Sequence, residues 1–287
     1  MYQNTLDDIT AYIDFLRENG YPVTVSCFDK AFEPCLATFI LYELHPMPVC
    51  NYLKQNKSTI GICLRNKRRL EAKAPQKPFY GCCYAGVEEY ITPVMHNGKM
   101  IICIHLTGFK GKLDLSQKRF QQAKQQYSLD NEFDMLYSSL NDKFPDYQVV
   151  NALTAPLGHM LVKLYEQCIE YGKITPLSDV YLKALNYIRD NYMYDITVSD
   201  IAQSTGYSVS YFEHIFRKSC GSSAVKYLNN LRFFKATEFL KNSDLSVGDI
   251  AARLGFCDAN YFSTAFKKAY GVSPLGYRKN FKKDDTK

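Results

Sequence analysis

Val198-Ser-Asp-Ile-Ala-Gln-Ser-Thr-Gly206-Tyr207, followed by Tyr211-Phe-Glu-His-Ile-Phe216-Arg-Lys218 and Gly221, recurs further along the chain. The second copy reads Val247-Gly-Asp-Ile-Ala-Ala-Arg-Leu-Gly255-Phe256, then Tyr261-Phe-Ser-Thr-Ala-Phe266-Lys-Lys268 and Gly271. Ile201 and Ala202 correspond to Ile250 and Ala251, 49 positions on, whereas Tyr211, Phe212 and Phe216 correspond to Tyr261, Phe262 and Phe266, 50 positions on. The extra residue falls in the turn after the first glycine of the second copy. A repeat that slips only in a turn is two copies of one helix-turn-helix unit, expected at about 198–221 and 247–271.

Each copy carries the local chemistry such a unit needs. Thr197-x-x-Asp200 and Ser246-x-x-Asp249 offer oxygen acceptors to the orphan N–H groups at the start of a helix. Gly206 and Gly255 fall where the turn calls for a positive φ. Ser208 and Asp258 are good N-caps for the second helices. Phe212 and Phe216, like Phe262 and Phe266, are four apart and point inward. Ser210, Glu213, His214 and Arg217 then point outward, as do Asn260, Ser263, Thr264 and Lys267. Short polar and basic side chains on an exposed helix face suit base edges and phosphates. The plain alternative, a helical bundle with solvated faces, does not account for two copies with matched caps, turns and aromatic pairs.

Residues 178–281 resemble the DNA-binding domain of AraC-type transcription regulators. The run from Ile250 through Gly255, Asp258, Tyr261, Phe262, Phe266, Gly271, Ser273-Pro274 and Tyr277-Arg278 is similar to that family's signature, and Tyr227 to Ala236 to its linking helix. The resemblance implies double-stranded DNA as partner, read by two helices in successive major grooves. Carried over by position, Ser208, Ser210, Tyr211, Glu213 and His214 would serve the first helix, and Asp258, Asn260, Tyr261, Ser263 and Thr264 the second. Arg217, Lys218, Lys267, Lys268 and Arg278 would neutralise phosphates. Thr264 stands where the family usually has arginine. Glu213 can accept from cytosine N4 but repels phosphate.

The totals agree with a two-domain reading. The chain has 287 residues, 46% hydrophobic and 22% charged, with a net charge of +6. Residues 178–287 hold 16 Lys+Arg against 11 Asp+Glu, and the remainder 19 against 18, so nearly all the net charge accompanies the repeats. No apolar run approaches the length of a bilayer span. No basic-then-apolar leader opens the chain, so no membrane association and a cytoplasmic location are expected. Ten cysteines without such a leader predict reduced thiols.

Before the repeats, the pattern predicts an α+β domain over 1–172. It begins with an amphipathic helix at 4–19, a strand at 22–28 and a second strand at 35–41. Two helical pieces over 45–74 and a third strand at 79–84 follow. Val87–Met95 and Lys99–Thr107 then form a hairpin about Asn97-Gly98, the strongest short-range signal of its kind. Helices are expected on one face of this antiparallel sheet. Further helices are predicted at 116–127 and 131–143. A last helix is capped by Thr154, begins near Pro156 and stops at Gly172. Its stripe of Leu157, Leu161, Leu164 and Cys168 is a candidate homodimer surface, or else packs on its own domain. Residues 173–177 are the expected linker to a C-terminal domain at 178–287.

Cys50, Gly61-Ile-Cys63, Cys83-Tyr-Ala-Gly86-Val87, Pro93 and Asn97-Gly-Lys99 resemble the PocR-type sensory module. That resemblance implies a PAS/GAF-like domain binding a small-molecule effector, with Cys50, Cys63, Cys83, Gly86 and Glu88 as candidate ligand contacts. Doubled Cys82-Cys83 and Leu106-Thr-Gly108-Phe depart from its usual pattern. Cys50, Cys63 and Cys83, with His45 as an added ligand, are the alternative: a metal- or redox-responsive regulator. No cofactor is needed for DNA binding itself, and RNA polymerase is a candidate partner. An enzymatic reading, a methyl-accepting DNA-repair protein, lacks its Pro-Cys-His-Arg acceptor. No phosphate loop, His-Glu-x-x-His or nucleophile elbow is present either.

Overall fold

A computed structural model describes residues 2–55, 57–111, 113–174 and 178–284. The chain divides into two compact units, Met1–Thr175 and Pro176–Lys287. Of the predicted linker, residues 175–177 lie outside the described residues. Among the described residues no helix is long and apolar enough to cross a membrane.

The first unit opens with α1 (Gln3–Glu18), which buries Leu6, Ile9, Ile13 and Leu16. Strands β1 (Val23–Cys27), β2 (Phe79–Cys82), β3 (Glu88–His96) and β4 (Lys99–Phe109) form one antiparallel sheet in the order β1-β4-β3-β2. Asn97 and Gly98 both adopt positive φ, 48° and 77°, the geometry a two-residue primed turn demands, and His96 pairs with Lys99 across it.

Three expectations for this unit are corrected. Residues 35–41 are not a strand. Asp29 caps a 3-10 turn at Lys30–Cys35, accepting from Ala31 N at 2.9 Å, and the chain continues as α2 (Leu36–Glu43). Leu36-Ala-Thr-Phe-Ile-Leu-Tyr is apolar at nearly every position, so periodicity could not separate helix from strand.

Helices also cover both sheet faces rather than one. They include α3 (Pro48–Lys54), α4 (Lys57–Lys73) and α7 (Tyr147–Ile174). Leu70 of α4 packs with Ile91 and Cys103 on one face. On the other, α7 packs on β3 and β4, with Gly158 against Val94. The run Met100-Ile-Ile-Cys-Ile-His-Leu-Thr in β4 is buried throughout, the mark of a strand enclosed on two sides.

Finally, α7 does not start at a Thr154 cap. It begins at Tyr147, carries Pro156 inside and runs past Gly172 to Ile174. Leu157, Leu161, Leu164 and Cys168 are fully buried within this unit, so the stripe is core and not a dimer surface. The helices α5 (Asp114–Gln126) and α6 (Asn131–Ser138) complete the unit. The second of these ends five residues before the predicted 143.

The second unit is all helical: α8 (Asp179–Asn191), α9 (Val198–Thr205), α10 (Val209–Cys220), α11 (Ala224–Asn242), α12 (Val247–Arg253), α13 (Ala259–Tyr270) and α14 (Pro274–Asp284). The pair α9–α10 packs on α8, α14 packs on α11 and α13, and the long α11 joins the two halves. Arg232 of α11 is the tie at its centre. Its Nε donates to Tyr192 O at 2.9 Å and a terminal nitrogen to Tyr194 O at 2.7 Å, holding the chain just past the end of α8. Lys235 and Glu238, both buried in α11, pair at 2.9 Å.

Candidate functional site

The two helix pairs are built on the same plan. Thr197 and Asp200 form a complete capping box at α9, and Ser246 accepts from Asp249 N at 3.1 Å at α12. Gly206 and Gly255 take φ of 83° and 74° in the turns. The additional residue of the second copy lies between Gly255 and α13. Ser208 accepts from Tyr211 N at 3.4 Å to start α10, and Asp258 accepts from Asn260 N at 2.7 Å to start α13.

Matching side chains anchor both second helices. Ile201, Ala202, Phe212 and Phe216 are buried in one copy, and Ile250, Ala251, Phe262 and Phe266 in the other. Phe216 meets the edge of Tyr181 at 5.2 Å, and Phe266 stacks on Tyr270 at 4.7 Å. With both aromatic positions held, the opposite face of each helix is fixed outward. Ser208, Ser210, Tyr211, His214, Arg217 and Lys218 are exposed in the first copy. Asp258, Asn260, Tyr261, Thr264, Lys267 and Lys268 are exposed in the second. Each face therefore presents hydrogen-bonding groups near its N-terminal end and two adjacent cations near its C-terminal end. That is the distribution a helix needs to contact bases and then clamp phosphates.

Three expected contacts sit differently. Glu213 is half-buried, and both carboxylate oxygens are engaged within the unit: one accepts from Ala224 N at 3.3 Å, the other from Arg217 Nε at 3.0 Å. It caps α11 while steadying Arg217. Ser263 is half-buried and donates to Ala259 O at 2.9 Å. Arg278 is half-buried and donates to Leu245 O at 2.6 Å, joining α14 to the segment before α12. One terminal nitrogen of its guanidinium is thereby tied to the domain's own backbone.

In the first unit, Cys50, Cys63 and Cys83 lie near one another. Burial pushes the Cys50 thiol up to about 12, raises Cys63, and raises Cys83 well above the ordinary thiol value, its neighbours Cys50 and Cys63 adding to it. Such thiols stay protonated and are poor nucleophiles, which weighs against a redox switch built on them. Their sulfurs do not close into a metal-sized group. Among the described residues the group that does comprises His45, Glu89 and His105. Sequence reasoning reached His45 only as an adjunct to the cysteines and missed the other two.

Gly86 and Glu88 hold the frame. Gly86 O accepts from Ser116 Oγ at 2.5 Å and Tyr137 Oη at 3.2 Å, and a β-carbon there would stand 2.6 Å from Ser116 O. Glu88 accepts from Leu113 N at 2.7 Å. Leu113 and Tyr137 line a surface cleft of about 500 Å³ together with Lys110, Phe120 and Asp142. All ten cysteines are free thiols.

The paired, outward-facing second helices define a helix-turn-helix DNA-binding protein. Residues 172–280 match a family model described as a helix-turn-helix domain. The C-terminal unit carries an AraC-type helix-turn-helix domain. It is 28% identical over 253 residues to the regulatory protein PocR of Salmonella typhimurium, covering 80% of this chain and 82% of that one. A match of that extent runs well into the first unit. It is 48% identical over 66 residues to the transcriptional activator RhaR of Pectobacterium carotovorum, 23% of either chain. The C-terminal domain of AraT, a response regulator from Geobacillus stearothermophilus, is 36% identical with a TM-score of 0.36, over 37% of this chain and 88% of that one. These relatives are regulators rather than enzymes.

Proposed function

We propose that this protein is a sequence-specific transcription regulator whose first unit, a PAS/GAF-like sensory domain, binds a small-molecule effector. What supports the reading is the duplicated helix pair, with two rigidly anchored second helices that leave Ser210, His214, Asn260 and Thr264 open to solvent. Ser208, Ser210 and His214 face bases in one groove, and Asn260 and Thr264 in the next, about one helical turn away. Arg217, Lys218, Lys267 and Lys268 neutralise phosphates, so affinity falls steeply with salt. Tyr211 and Tyr261, about half exposed, pack on the sugar-phosphate backbone beside them.

The effector reading draws on the extent of the PocR match and on the cleft beside Gly86 and Glu88. As the last element of the sensory unit, α7 leads into the linker. An effector that shifts α7 thereby alters where the DNA-binding unit begins. RNA polymerase is the partner through which a promoter-bound protein would act, in a reducing cytosol where free thiols persist. A mobility-shift titration of the whole chain on promoter DNA tests the reading. Binding should weaken by orders of magnitude between roughly 50 and 200 mM salt. Salt-insensitive binding, or none, refutes it.

A further inference from the structure

The sheet face beneath α4 carries buried polar groups that hydrophobic packing does not require. Thr24 pairs across the strands with His105, and Thr107 with Glu89, so all four side chains share that face. The His105 side chain is only 7% exposed, and its Nδ1 lies 2.9 Å from Glu89 Oε2. Its Nε2, together with the hydroxyls of Thr24 and Thr107, is buried with no hydrogen-bond partner. A buried polar atom left so is destabilising, and several on one face of a core call for something to bind them.

A third donor comes from outside the sheet. His45 sits between α2 and α3, flanked by Pro46 and Pro48. Gly108 of β4 admits the neighbouring Met47 so closely that a β-carbon would meet its sulfur at 2.8 Å. The His45 ring consequently stands 5.9 Å, centroid to centroid, from that of His105. One nitrogen from each histidine and one Glu89 oxygen lie within 4.8 Å of one another. Cys50 Sγ, 3.9 Å from His45 Nδ1, is the next donor in reach.

The geometry points to a binding site for a single divalent transition-metal ion, held by His45, Glu89 and His105. Donors around a tetrahedral zinc stand about 3.3 Å apart for metal–nitrogen bonds near 2.0 Å, so modest side-chain rotation closes the set. Two imidazoles with one carboxylate suit zinc and its neighbours, whereas calcium and magnesium take oxygen donors throughout.

The test is metal stoichiometry on the full-length chain, stripped with chelator, reloaded with Zn²⁺ or Co²⁺ and read by elemental analysis and visible absorption. One ion per chain is expected, with tetrahedral Co²⁺ bands. His45→Ala lies on a half-exposed loop, and Glu89→Gln keeps its shape. Each should weaken binding by at least about tenfold while far-UV circular dichroism is unchanged. Should Glu89→Gln fail to fold, His45→Ala alone decides. Less than half an ion per chain overturns the inference, as does full binding in His45→Ala. So does loss in Cys63→Ser with retention in His45→Ala, which would place the ion among the thiols. None of these readouts involves DNA, so their failure leaves the proposed function standing.

Discussion

Gly206 and Gly255 occupy the same turn in the two helix pairs, with φ of 83° and 74°, yet their surroundings differ. A β-carbon at Gly206 meets nothing within 4 Å. At Gly255 it would stand 2.6 Å from Tyr194 O and 2.7 Å from the Arg232 nitrogen that donates to that same oxygen. Gly206→Ala therefore carries only the left-handed backbone penalty, about 1–2 kcal/mol. Gly255→Ala adds displacement of the Arg232–Tyr194 contact, a part-buried charged hydrogen bond worth about 1.5–3 kcal/mol. The second substitution should thus cost about 2.5–5 kcal/mol in all. Urea unfolding of the 176–287 unit, followed by circular dichroism, measures both. The gap between the variants should be at least about 1 kcal/mol, or roughly 4 °C in melting temperature for a domain of this size. Equal costs, or a milder Gly255→Ala, would refute the assignment of Arg232 as the tie between the two halves.

Phe216→Ala and Phe266→Ala each empty a fully buried site, so each should destabilise the second unit by about 3–5 kcal/mol in the same assay. Lys267→Ala should reduce the slope of log affinity against log salt by about 1 and leave the melting temperature within a degree or two, since Lys267 is exposed. Arg278→Ala should do the reverse, lowering stability through the lost Leu245 contact and barely moving the salt slope. Alkaline pH should destabilise the first unit. The Cys50 and Cys103 thiols, raised by burial to about 12, stay protonated when folded, while an unfolded chain ionises them near 9. Their contribution is complete below pH 9 and is lost as pH rises from 9 towards 12. A pH series of unfolding curves with falling midpoints across that window is the expected result; a flat series contradicts it.

The second unit was legible in the sequence because its determinants are local and appear twice. Thr197/Asp200, Gly206 and Phe212/Phe216 each constrain a few residues, and their recurrence at 246/249, 255 and 262/266 removes most ambiguity. In the first unit the Asn97-Gly98 hairpin was equally plain. Leu36–Glu43 was not, because a run apolar at nearly every position from Leu36 to Tyr42 has no polar face to set its period. Pro156 looked like a helix start, yet it lies well inside α7, where tertiary packing overrides local preference. The roles of Glu213, Ser263 and Arg278 depend on Ala224, Ala259 and Leu245, and a resemblance by position does not report which partner a side chain has chosen. The His45–Glu89–His105 group was hidden for a related reason. Its members come from a loop and two strands, and only the register of β3 against β4 brings them together.

The account rests on two recognition helices reading DNA as a pair, and selection from random-sequence DNA with the intact chain measures that most directly. The enriched sites should contain two short blocks with centres about 10 base pairs apart. Ser210→Ala with His214→Ala should relax one block, and Asn260→Ala with Thr264→Ala the other. No enrichment, or a single block erased by either pair of substitutions, would contradict it.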